Sequence, residues 1–401
     1  MVEISGSLVE AGPDGGHSHA PKVLIVTGED SGDLHGAKLI RSTLAKNPQV
    51  RFMGVGGQRM ADAGCELLMR AEDLAVVGLV EVLGHFPKIW QAFQTLKGLL
   101  HDSGRPDALV LIDFPEFNLR LARQAQKAGV PVLYYVSPQV WAWRRGRVKK
   151  IARIVDRLAA IFPFEPDLYR GLDIQVEYVG HPLLDEFSGT PNRGEILERL
   201  QISEDTSVIG LFPGSRRSEL KFMLQTLADA GKLIRDQRPG TRFLVPVAAG
   251  LSTADIAHCF SKDMDVHLLQ PDEMTIYETA RACDAVITVS GTVTLQIALA
   301  GTPMVIFYKL APVSFAIGRK LIRVDHIGLA NIVAGKRVVP EFIQGEATPQ
   351  NLAAAALAII DDQQRARQMR QELAALRQKL GKPGCSDRVA DMLLDMVSRK
   401  H

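Results

Sequence analysis

Four short polar clusters, each directly after an apolar run of strand length, constrain this chain more than any other feature of its sequence. Two lie in the first half of the chain and two in the second. They are 28–33 (GEDSGD), 113–118 (DFPEFN), 213–219 (PGSRRSE) and 290–294 (SGTVT). Ligands of open α/β sheets sit at the carboxyl ends of the strands. The pattern therefore predicts an α/β chain with two Rossmann-like domains facing each other across a cleft, an arrangement suited to joining two substrates.

Apolar runs of strand length alternate with helix-like segments along most of the chain. Residues 22–27 and 107–112 are typical of buried strands in the first half, and the alternation restarts after residue 200. This order indicates βαβ units and a mainly parallel sheet. The polar stretch 187–192 (FSGTPN) favours a domain boundary. The predicted organisation is a disordered tail over 1–20, one Rossmann-like domain over 21–188, a second over 189–365, and helices over 366–401 that pack back on the first domain.

The bulk composition narrows the class of protein. A chain of 401 residues is too long for one ordinary hydrophobic core, and a net charge of +2 argues against a strong overall field for nucleic acid. The four cysteines are scattered without a CxxC pair, so we expect a reduced, cytosolic protein. No apolar run reaches the roughly 18–20 residues of a spanning helix. Residues 1–20 lack the basic start and continuous apolar stretch of a signal peptide.

Two clusters in the second half suit an anionic ligand. Residues 212–216 end a strand in a turn that offers backbone N–H groups, a hydroxyl and the Arg216 guanidinium, and arginine can contact phosphate through two donors. Residues 290–292 close another strand before a helix, where small residues leave N–H groups free for an anion. The alternatives are a Gly-Ser turn with solvated arginines and an ordinary helix cap. Together the two clusters favour a nucleotide diphosphate.

The dinucleotide fingerprint is missing. Glycines 28, 32 and 36 after the first strand do not form GxGxxG. Residues 54–56 begin that pattern, but Arg59 stands in the third glycine position, and the Walker lysine motif is also absent. A nicotinamide dehydrogenase and a P-loop enzyme are therefore disfavoured.

Carboxylates mark the clusters of the first half. Asp113 directly follows a strand, and Glu29 lies in the glycine loop after the first strand. Transfer of a sugar from a nucleotide to a hydroxyl passes through an oxocarbenium-like transition state. It needs a base near the attacking hydroxyl and charge stabilisation at the departing diphosphate. Asp113 is the candidate base; the alternative is a structural aspartate that bonds the next turn.

Three further features leave alternatives open. The segment 136–147 carries two tryptophans and then a run of basic residues, which suits a solvated basic helix face, an acceptor phosphate or anionic lipid. A nucleic-acid patch is disfavoured because nothing else in the chain supports it. His181 is either a hydrogen-bonding site residue or a satisfied interdomain histidine. The apolar segment 74–84 is either a buried helix or an apolar lip for acyl chains or a membrane surface, with Lys88 and Lys97 following it.

Read in order, these segments resemble the lipid-A-disaccharide synthase family from about residue 21 to residue 390. The matching stretches are 27–37 (TGEDSGDLHGA), 52–64 (FMGVGGQRMADAG), 112–118 (IDFPEFN), 135–144 (YVSPQVWAWR), 162–165 (FPFE), 180–182 (GHP), 212–216 (FPGSR), 290–292 (SGT) and 331–335 (NIVAG). The resemblance implies a GT-B glycosyltransferase that needs no metal and no cofactor. It implies transfer of 2,3-diacylglucosamine from UDP-2,3-diacylglucosamine to 2,3-diacylglucosamine 1-phosphate, with inversion, a β-1,6 linkage and release of UDP. The first domain would then hold the acceptor and the second the donor.

The resemblance also implies roles and partners. It implies peripheral contact with the cytoplasmic face of a bacterial inner membrane and no nucleic-acid partner. It is also compatible with a homo-oligomer. The implied catalytic residues are Asp113 and Glu29, and the implied substrate-binding residues are Ser31, Asp33, Asn118, Trp143, Arg144, His181, Arg216, Ser290, Gly291, Thr292 and Gln296.

The chain departs from the family pattern at two positions. Gln296 stands where many relatives carry a glutamate for the ribose hydroxyls, and Glu116 stands where others have aspartate. Glutamine lacks the charge-assisted hydrogen bond of glutamate. The alternative activity is that of a UDP-N-acetylglucosamine 2-epimerase, which shares the architecture. A membrane-surface or RNA-binding protein is the non-enzymatic alternative.

Overall fold

The computed structural model describes residues 20–73, 79–142, 145–187, 189–311, 315 and 325–398. Several sequence predictions lie outside the described residues. They are nearly all of the tail over 1–20, the first part of the apolar segment over 74–78, and Trp143 and Arg144.

The first half of the described chain builds a seven-stranded parallel sheet in the order β3-β2-β1-β4-β5-β6-β7. Its strands are β1 (Lys22–Val26), β2 (Arg51–Gly56), β3 (Cys65–Arg70), β4 (Ala108–Ile112), β5 (Val132–Tyr135), β6 (Arg157–Ala160) and β7 (Gln175–Tyr178). Helices connect and cover the strands, and α7 and α8 lead to the second half. These helices are α1 (Asp30–Lys46), α2 (Gln58–Asp62), α3 (Leu79–His101), α4 (Pro115–Ala128), α5 (Val148–Ala152), α6 (Glu165–Leu168), α7 (Leu183–Phe187) and α8 (Arg193–Arg199), with 3-10 turns at Ala71–Asp73 and Arg145–Arg147.

The second half builds a six-stranded parallel sheet in the order β10-β9-β8-β11-β12-β13. Its strands are β8 (Val208–Phe212), β9 (Arg242–Pro246), β10 (Asp265–Leu269), β11 (Ala285–Val289), β12 (Met304–Tyr308) and β13 (Glu341–Ile343). Its helices are α9 (Arg217–Gln237), α10 (Ala254–Ala257), α11 (Ile276–Ala282), α12 (Val293–Ala300), α13 (Leu329–Ala334), α14 (Pro349–Asp361), α15 (Gln363–Lys379) and α16 (Cys385–Ser398), with a 3-10 turn at Gln344–Glu346. The prediction of an α/β chain with two Rossmann-like sheets is confirmed.

The central strands of both sheets are buried along their whole length. All residues of β4, β8 and β11 are buried, as expected for parallel strands covered by helices on both faces. Three strands that the sequence did not predict, β3, β7 and β13, lie at sheet edges and are only partly buried. Half-exposed strands lack the continuous apolar run that identifies the buried ones.

The last described helix leaves the second sheet and packs against α1 beside the first sheet. Lys46 Nζ lies 2.6 Å from Asp391 Oδ1, and Arg157 donates to the carbonyl oxygen of Met392 at 2.9 Å. The Asp185 carboxylate of α7 accepts from the backbone N–H of Gly384 at 2.6 Å. The chain therefore crosses between its two halves at α7 and again before α16, and side chains join the two crossings.

Candidate active site

Each sheet has one point where the strand order reverses, and the four polar clusters lie at these two points. In the first sheet the reversal falls between β1 and β4, which lead into residues 28–33 and 113–118. In the second sheet it falls between β8 and β11, which lead into residues 213–219 and 290–294. Open α/β sheets bind ligands in the crevice outside the carboxyl ends of strands at such a point. The tertiary structure thus gathers each pair of clusters into one crevice.

Asp113 follows β4 in a strained backbone conformation. Its φ is 47°, and Phe114, which precedes a proline, has a φ of 48°. Residues other than glycine seldom adopt this left-handed region, and the residue before proline favours extended backbone. The carbonyl oxygen of Asp113 accepts from Asn118 Nδ2 at 2.7 Å and from the Tyr134 hydroxyl at 2.6 Å. These two donors hold the turn in place, and strain of this kind is typical of functional sites.

The charge environment of Asp113 reaches across both halves of the chain. Burial and then the negative charge of Glu29 raise the pKa of Asp113 from 3.8 to about 6. A hydrogen bond from the backbone N–H of Phe114 and the positive charge of Arg216 oppose that rise in pKa. Glu29 and Arg216 therefore lie within electrostatic reach of Asp113, although Arg216 belongs to the second sheet. A carboxylate with a pKa near 6 can act as a general base at neutral pH.

The glycine loop after β1 packs against the turn that carries Asp113. A Cβ atom at Gly28 would lie 2.5 Å from the ring of Phe114, so only glycine allows this close approach. Glu29 is the N-cap residue of α1 and is exposed, without a side-chain hydrogen bond to the helix. Ser31, in the first turn of α1, is also exposed. The loop thus places the Glu29 carboxylate beside Asp113 and leaves it open to a ligand.

Asp33 and Asn118 are occupied by contacts within the protein. The buried carboxylate of Asp33 accepts from the backbone N–H groups of Gly57 at 2.6 Å, Met60 at 3.1 Å and Arg59 at 3.1 Å, which caps α2. The side-chain nitrogen of Asn118 is directed to the backbone where β4 ends, although its Oδ1 has no hydrogen-bond partner. Both residues therefore shape the crevice, and direct contact of either with substrate stays a prediction.

The second crevice presents Arg216 to solvent. Its side chain is 64% exposed, and its nearest ion pair is a 3.5 Å contact with Glu219. Gly214 has a φ of +103°, and a Cβ there would lie 3.1 Å from both Glu219 and Val289, so the turn requires glycine. A weakly paired guanidinium at the carboxyl end of β8 is available for an anionic ligand.

The turn between β11 and α12 leaves room for a ligand. Ser290 donates its hydroxyl to the carbonyl oxygen of Ile327 at 2.7 Å, which anchors the turn. A Cβ at Gly291 would meet no atom within 4 Å, and Thr292 is exposed and does not cap α12 with its side chain. The first N–H groups of α12 are therefore not satisfied by the Thr292 hydroxyl, an arrangement that favours an anion.

Gln296 takes part in a network where the two halves meet. Its side chain lies near the hydroxyl of Tyr277 and opposes the rise in the pKa of that group, which burial drives well above its usual value. The same hydroxyl lies 3.4 Å from Glu186 Oε2, and Glu186 pairs with Lys38 of α1 at 3.3 Å. The network connects both halves, and a ribose contact of Gln296 stays a prediction.

His181 is buried at the first crossing between the halves. Its Nδ1 accepts from the backbone N–H of Leu183 at 3.2 Å, and its own backbone N–H donates to the carbonyl oxygen of Leu380 at 2.9 Å. Burial, assisted by the charge of His35, lowers the pKa of His181 to about 3, so the ring is neutral at neutral pH. These contacts support the interpretation of a satisfied interdomain histidine.

Sequence reasoning missed two features that come after β5 and β6, the strands that follow β4 in the order of the first sheet. Val136 has a φ of 58° directly after β5, a rare conformation for a β-branched residue. Burial raises the pKa of Glu165 to about 7, although its carboxylate accepts from the backbone N–H groups of Ile161 and Phe162. The signals in the sequence were Ser137 and Pro138 after the strand in one case and the FPFE segment in the other. Neither signal specifies a backbone angle or a degree of burial.

Among the described residues, no helix combines the length and apolar character needed to cross a bilayer.

Comparison with known proteins identifies the family. Residues 23–392 match the model of the lipid-A-disaccharide synthetase family. The chain is 59% identical over 375 residues to a lipid-A-disaccharide synthase of Syntrophotalea carbinolica, covering 94% of this chain and 95% of that one. It is 49% identical over 380 residues to the enzyme of the same name from Geobacter metallireducens, covering 94% and 98%.

Solved structures of low sequence identity share the fold. The UDP complex of MnaA from S. aureus has a TM-score of 0.63 at 14% identity, covering 94% of this chain and 98% of that one. The UDP-GlcNAc 2-epimerase from Neisseria meningitidis bound to UDP-GlcNAc also has a TM-score of 0.63, at 13% identity and covering 93% and 100%. The calicheamicin glycosyltransferase CalG4 has a TM-score of 0.57 at 15% identity, covering 95% and 99%. At these identities the similarity shows the fold alone.

The two facing Rossmann-like sheets and their paired crevices define the GT-B fold, which glycosyltransferases and UDP-GlcNAc 2-epimerases share. The family match and the high identities then specify its place within that class. The chain belongs to the lipid-A-disaccharide synthase family.

Proposed function

We propose that this chain transfers 2,3-diacylglucosamine from UDP-2,3-diacylglucosamine to the 6-hydroxyl of 2,3-diacylglucosamine 1-phosphate, with release of UDP. The observation that carries the proposal is that Asp113, with its pKa of about 6, lies within electrostatic reach of Arg216 of the opposite crevice. A base in one crevice and an anion-binding arginine in the other are what a sugar transfer from a nucleotide diphosphate requires.

The reaction is a single displacement. Asp113 accepts the proton of the acceptor hydroxyl while that oxygen forms a bond to the anomeric carbon of the donor. The bond from that carbon to the diphosphate oxygen breaks, and the leaving electron pair stays on UDP. Arg216 and the N–H groups around residues 290–292 stabilise the charge that develops on the diphosphate. Attack from the face opposite UDP gives inversion and the β linkage.

The two sheets divide this work. We assign the acceptor and the base to the domain over 21–188, the donor nucleotide to the domain over 189–365, and a bracing role to the helices over 366–401. The contacts of α16 with α1 and with residue 157 support the last assignment for residues 385–398, whereas α15 packs on α12 and α13 of the second half. Glu29 supports the base by raising its pKa, and this position also lets its carboxylate contact the acceptor.

The test is a UDP-release assay with both diacylated sugars, each omitted in turn. Release that needs both sugars supports the proposal, and folded protein that gives no turnover contradicts it. The alternative 2-epimerase activity needs no acceptor, so incubation with UDP-N-acetylglucosamine alone separates the two reactions. We expect no epimerised product, because the epimerases are similar to this chain at the level of the fold only.

We also propose peripheral contact with the cytoplasmic face of the bacterial inner membrane, because the diacylated substrates reside in lipid. Helix α3 supports this proposal, since it exposes Lys88 and a Trp90 that is 54% exposed. Aromatic and basic side chains together favour the surface of an anionic membrane. Co-sedimentation with anionic vesicles should fall for Trp90→Ala and not for the matched control Phe222→Ala on α9. Equal binding by both variants would exclude α3 from the contact.

The network of Lys38, Glu186 and Tyr277 is intramolecular, and no described contact tests a homo-oligomer. We retain the homo-oligomer as a proposal supported by the family resemblance. Light scattering after gel filtration tests it, and a mass equal to one chain at all concentrations would reject it.

A further inference from the structure

A basic groove lies between α4 and α5. It has a volume of about 200 Å³. Leu119, Ile151 and Ile154 supply its apolar side, and four cations and one carboxylate supply the remainder. The charged residues are Arg120, Arg123, Arg147, Lys150 and Glu116. We call this feature the α4–α5 groove.

Three of the four cations that line the α4–α5 groove are not paired with a carboxylate of the described residues. Arg147 pairs with Glu116 at 2.6 Å. In the described part of the chain, no carboxylate lies within 4.0 Å of Arg120, Arg123 or Lys150. Like charges held together without counter-charges attract an anion, and arginine binds phosphate through two parallel donors. The groove therefore has the chemistry of a phosphate site.

One end of the α4–α5 groove lies close to the candidate base, because Glu116, in the first turn of α4 and three residues after Asp113, lines the groove. Helix α4 begins two residues after Asp113, and Arg147 lies in the segment between β5 and α5. At the rise of an α-helix, Arg120 is about 8 Å along the axis from Pro115, where α4 begins. A pyranose carries its 6-hydroxyl and its 1-phosphate on either side of the ring oxygen, so they are less than one sugar length apart. A phosphate in the groove is thus compatible with a 6-hydroxyl at Asp113.

We propose that the α4–α5 groove binds the 1-phosphate of the acceptor sugar, with Arg120 and Lys150 as its principal donors. The inference rests on the proposed function, because it assigns the phosphate of that acceptor. The same phosphate-ester chemistry occurs in phospholipid headgroups, and the groove could bind either source by charge alone. The groove begins near Asp113 and not on α3, the helix proposed to contact the membrane. The phosphate of the acceptor is therefore favoured over a lipid headgroup.

The first experiment titrates glucosamine 1-phosphate, a soluble probe, into the wild type and into Arg120→Ala and Lys150→Ala. The matched controls are Lys127→Ala on α4 and Lys149→Ala on α5, which are exposed and do not line the groove. Charge-assisted hydrogen bonds are the strong ones. We therefore expect the dissociation constant to rise at least about tenfold in the groove variants and to stay unchanged in the controls. Binding that is equal in all five proteins, or absent from all, overturns the inference.

The second experiment measures the KM for each substrate in the same proteins. We expect the KM for the acceptor to rise about tenfold in the groove variants, while the KM for the donor stays constant. With an acceptor that lacks the 1-phosphate, wild type and groove variants should have equally high KM values, because none of them can then form the contact between the phosphate and the groove. A variant that loses binding to phospholipid vesicles while its acceptor KM is unchanged would identify a headgroup site and overturn the inference.

The two experiments separate the inference from the proposed function. Wild type without turnover, but with glucosamine 1-phosphate binding that depends on Arg120 and Lys150, contradicts the proposed reaction and keeps a sugar-phosphate site. Turnover that is unchanged in Arg120→Ala and Lys150→Ala would support the proposed reaction and contradict the assignment of the groove as the phosphate site.

Discussion

Replacement of Asp113 by asparagine separates the chemistry of this carboxyl group from its effect on the fold. We expect the variant to lose activity and to gain stability. General bases contribute about 10²–10⁴-fold to a rate, and asparagine cannot accept the proton. Asparagine matches aspartate in size and tolerates the left-handed φ of 47°, so the backbone should stay in place. Binding of UDP, which we propose to contact the other crevice, should be retained.

The expected gain in stability follows from the pKa. The pKa of Asp113 rises from 3.8 to about 6 because burial and Glu29 disfavour its charge. At 1.36 kcal/mol per pKa unit, the ionised group costs the folded state about 3 kcal/mol at pH 7, an upper bound because the side chain keeps some solvent contact. A neutral amide avoids this cost, so the free energy of unfolding should increase by about 1–3 kcal/mol.

The sign of the pH dependence provides an internal check. A carboxyl group with a raised folded-state pKa binds its proton more tightly when folded, so its contribution to stability is lost as pH rises from about 4 to about 6. The advantage of asparagine should therefore be near zero at pH 4 and complete by pH 7. Activity of the wild type should depend on pH in the opposite direction. If Asp113 is the base, kcat/KM should fall about tenfold from pH 7 to pH 5.

Urea denaturation at pH 4 and pH 7, together with the UDP-release assay, tests this reasoning. Asp102→Asn is the matched control, because Asp102 is an exposed carboxylate before β4 whose removal should change neither stability nor rate. Full activity of Asp113→Asn would remove Asp113 as the base. A variant less stable than wild type at pH 7 would show that the carboxylate is a structural group, and the assigned cause of its raised pKa would be wrong.

Three further changes probe the supporting structure. Gly28→Ala should lower activity and reduce the free energy of unfolding in urea by about 1–3 kcal/mol, because its Cβ would meet the ring of Phe114 at 2.5 Å. The control is Gly104→Ala, where a Cβ meets nothing within 4 Å, and equal effects of the two substitutions would contradict the clash. Asp33→Ala should lower the free energy of unfolding by several kcal/mol, since three backbone N–H groups lose their acceptor. An unchanged midpoint of urea denaturation would contradict the capping role of Asp33. Arg216→Ala should raise the KM for the donor about tenfold or more. It should also move the acid limb of the pH–rate profile to higher pH, because the positive charge that lowers the pKa of Asp113 is removed. An acid limb at lower pH would refute this coupling.

The sequence predicted the strands that are buried on both faces and missed most of those at the edges. Strands β4, β8 and β11 consist of buried, mainly apolar residues, so their composition alone identifies them. Strand β7 alternates exposed and partly buried positions over four residues, and it becomes a strand by pairing with β6. Pairing with a distant neighbour is not encoded in a local pattern.

The candidate site, like the fold, was predicted from the sequence only in part. The residue types of the four clusters, and their positions after apolar runs, were enough to predict a diphosphate site in one half and a base in the other. Only the tertiary structure decided that Asp33 caps a helix and that His181 is buried and neutral. It also decided that Arg216 acts on the pKa of Asp113. The physical reason is that charge interactions, burial and backbone strain depend on distances in space, and the parallel strand order sets these by joining segments far apart in the chain.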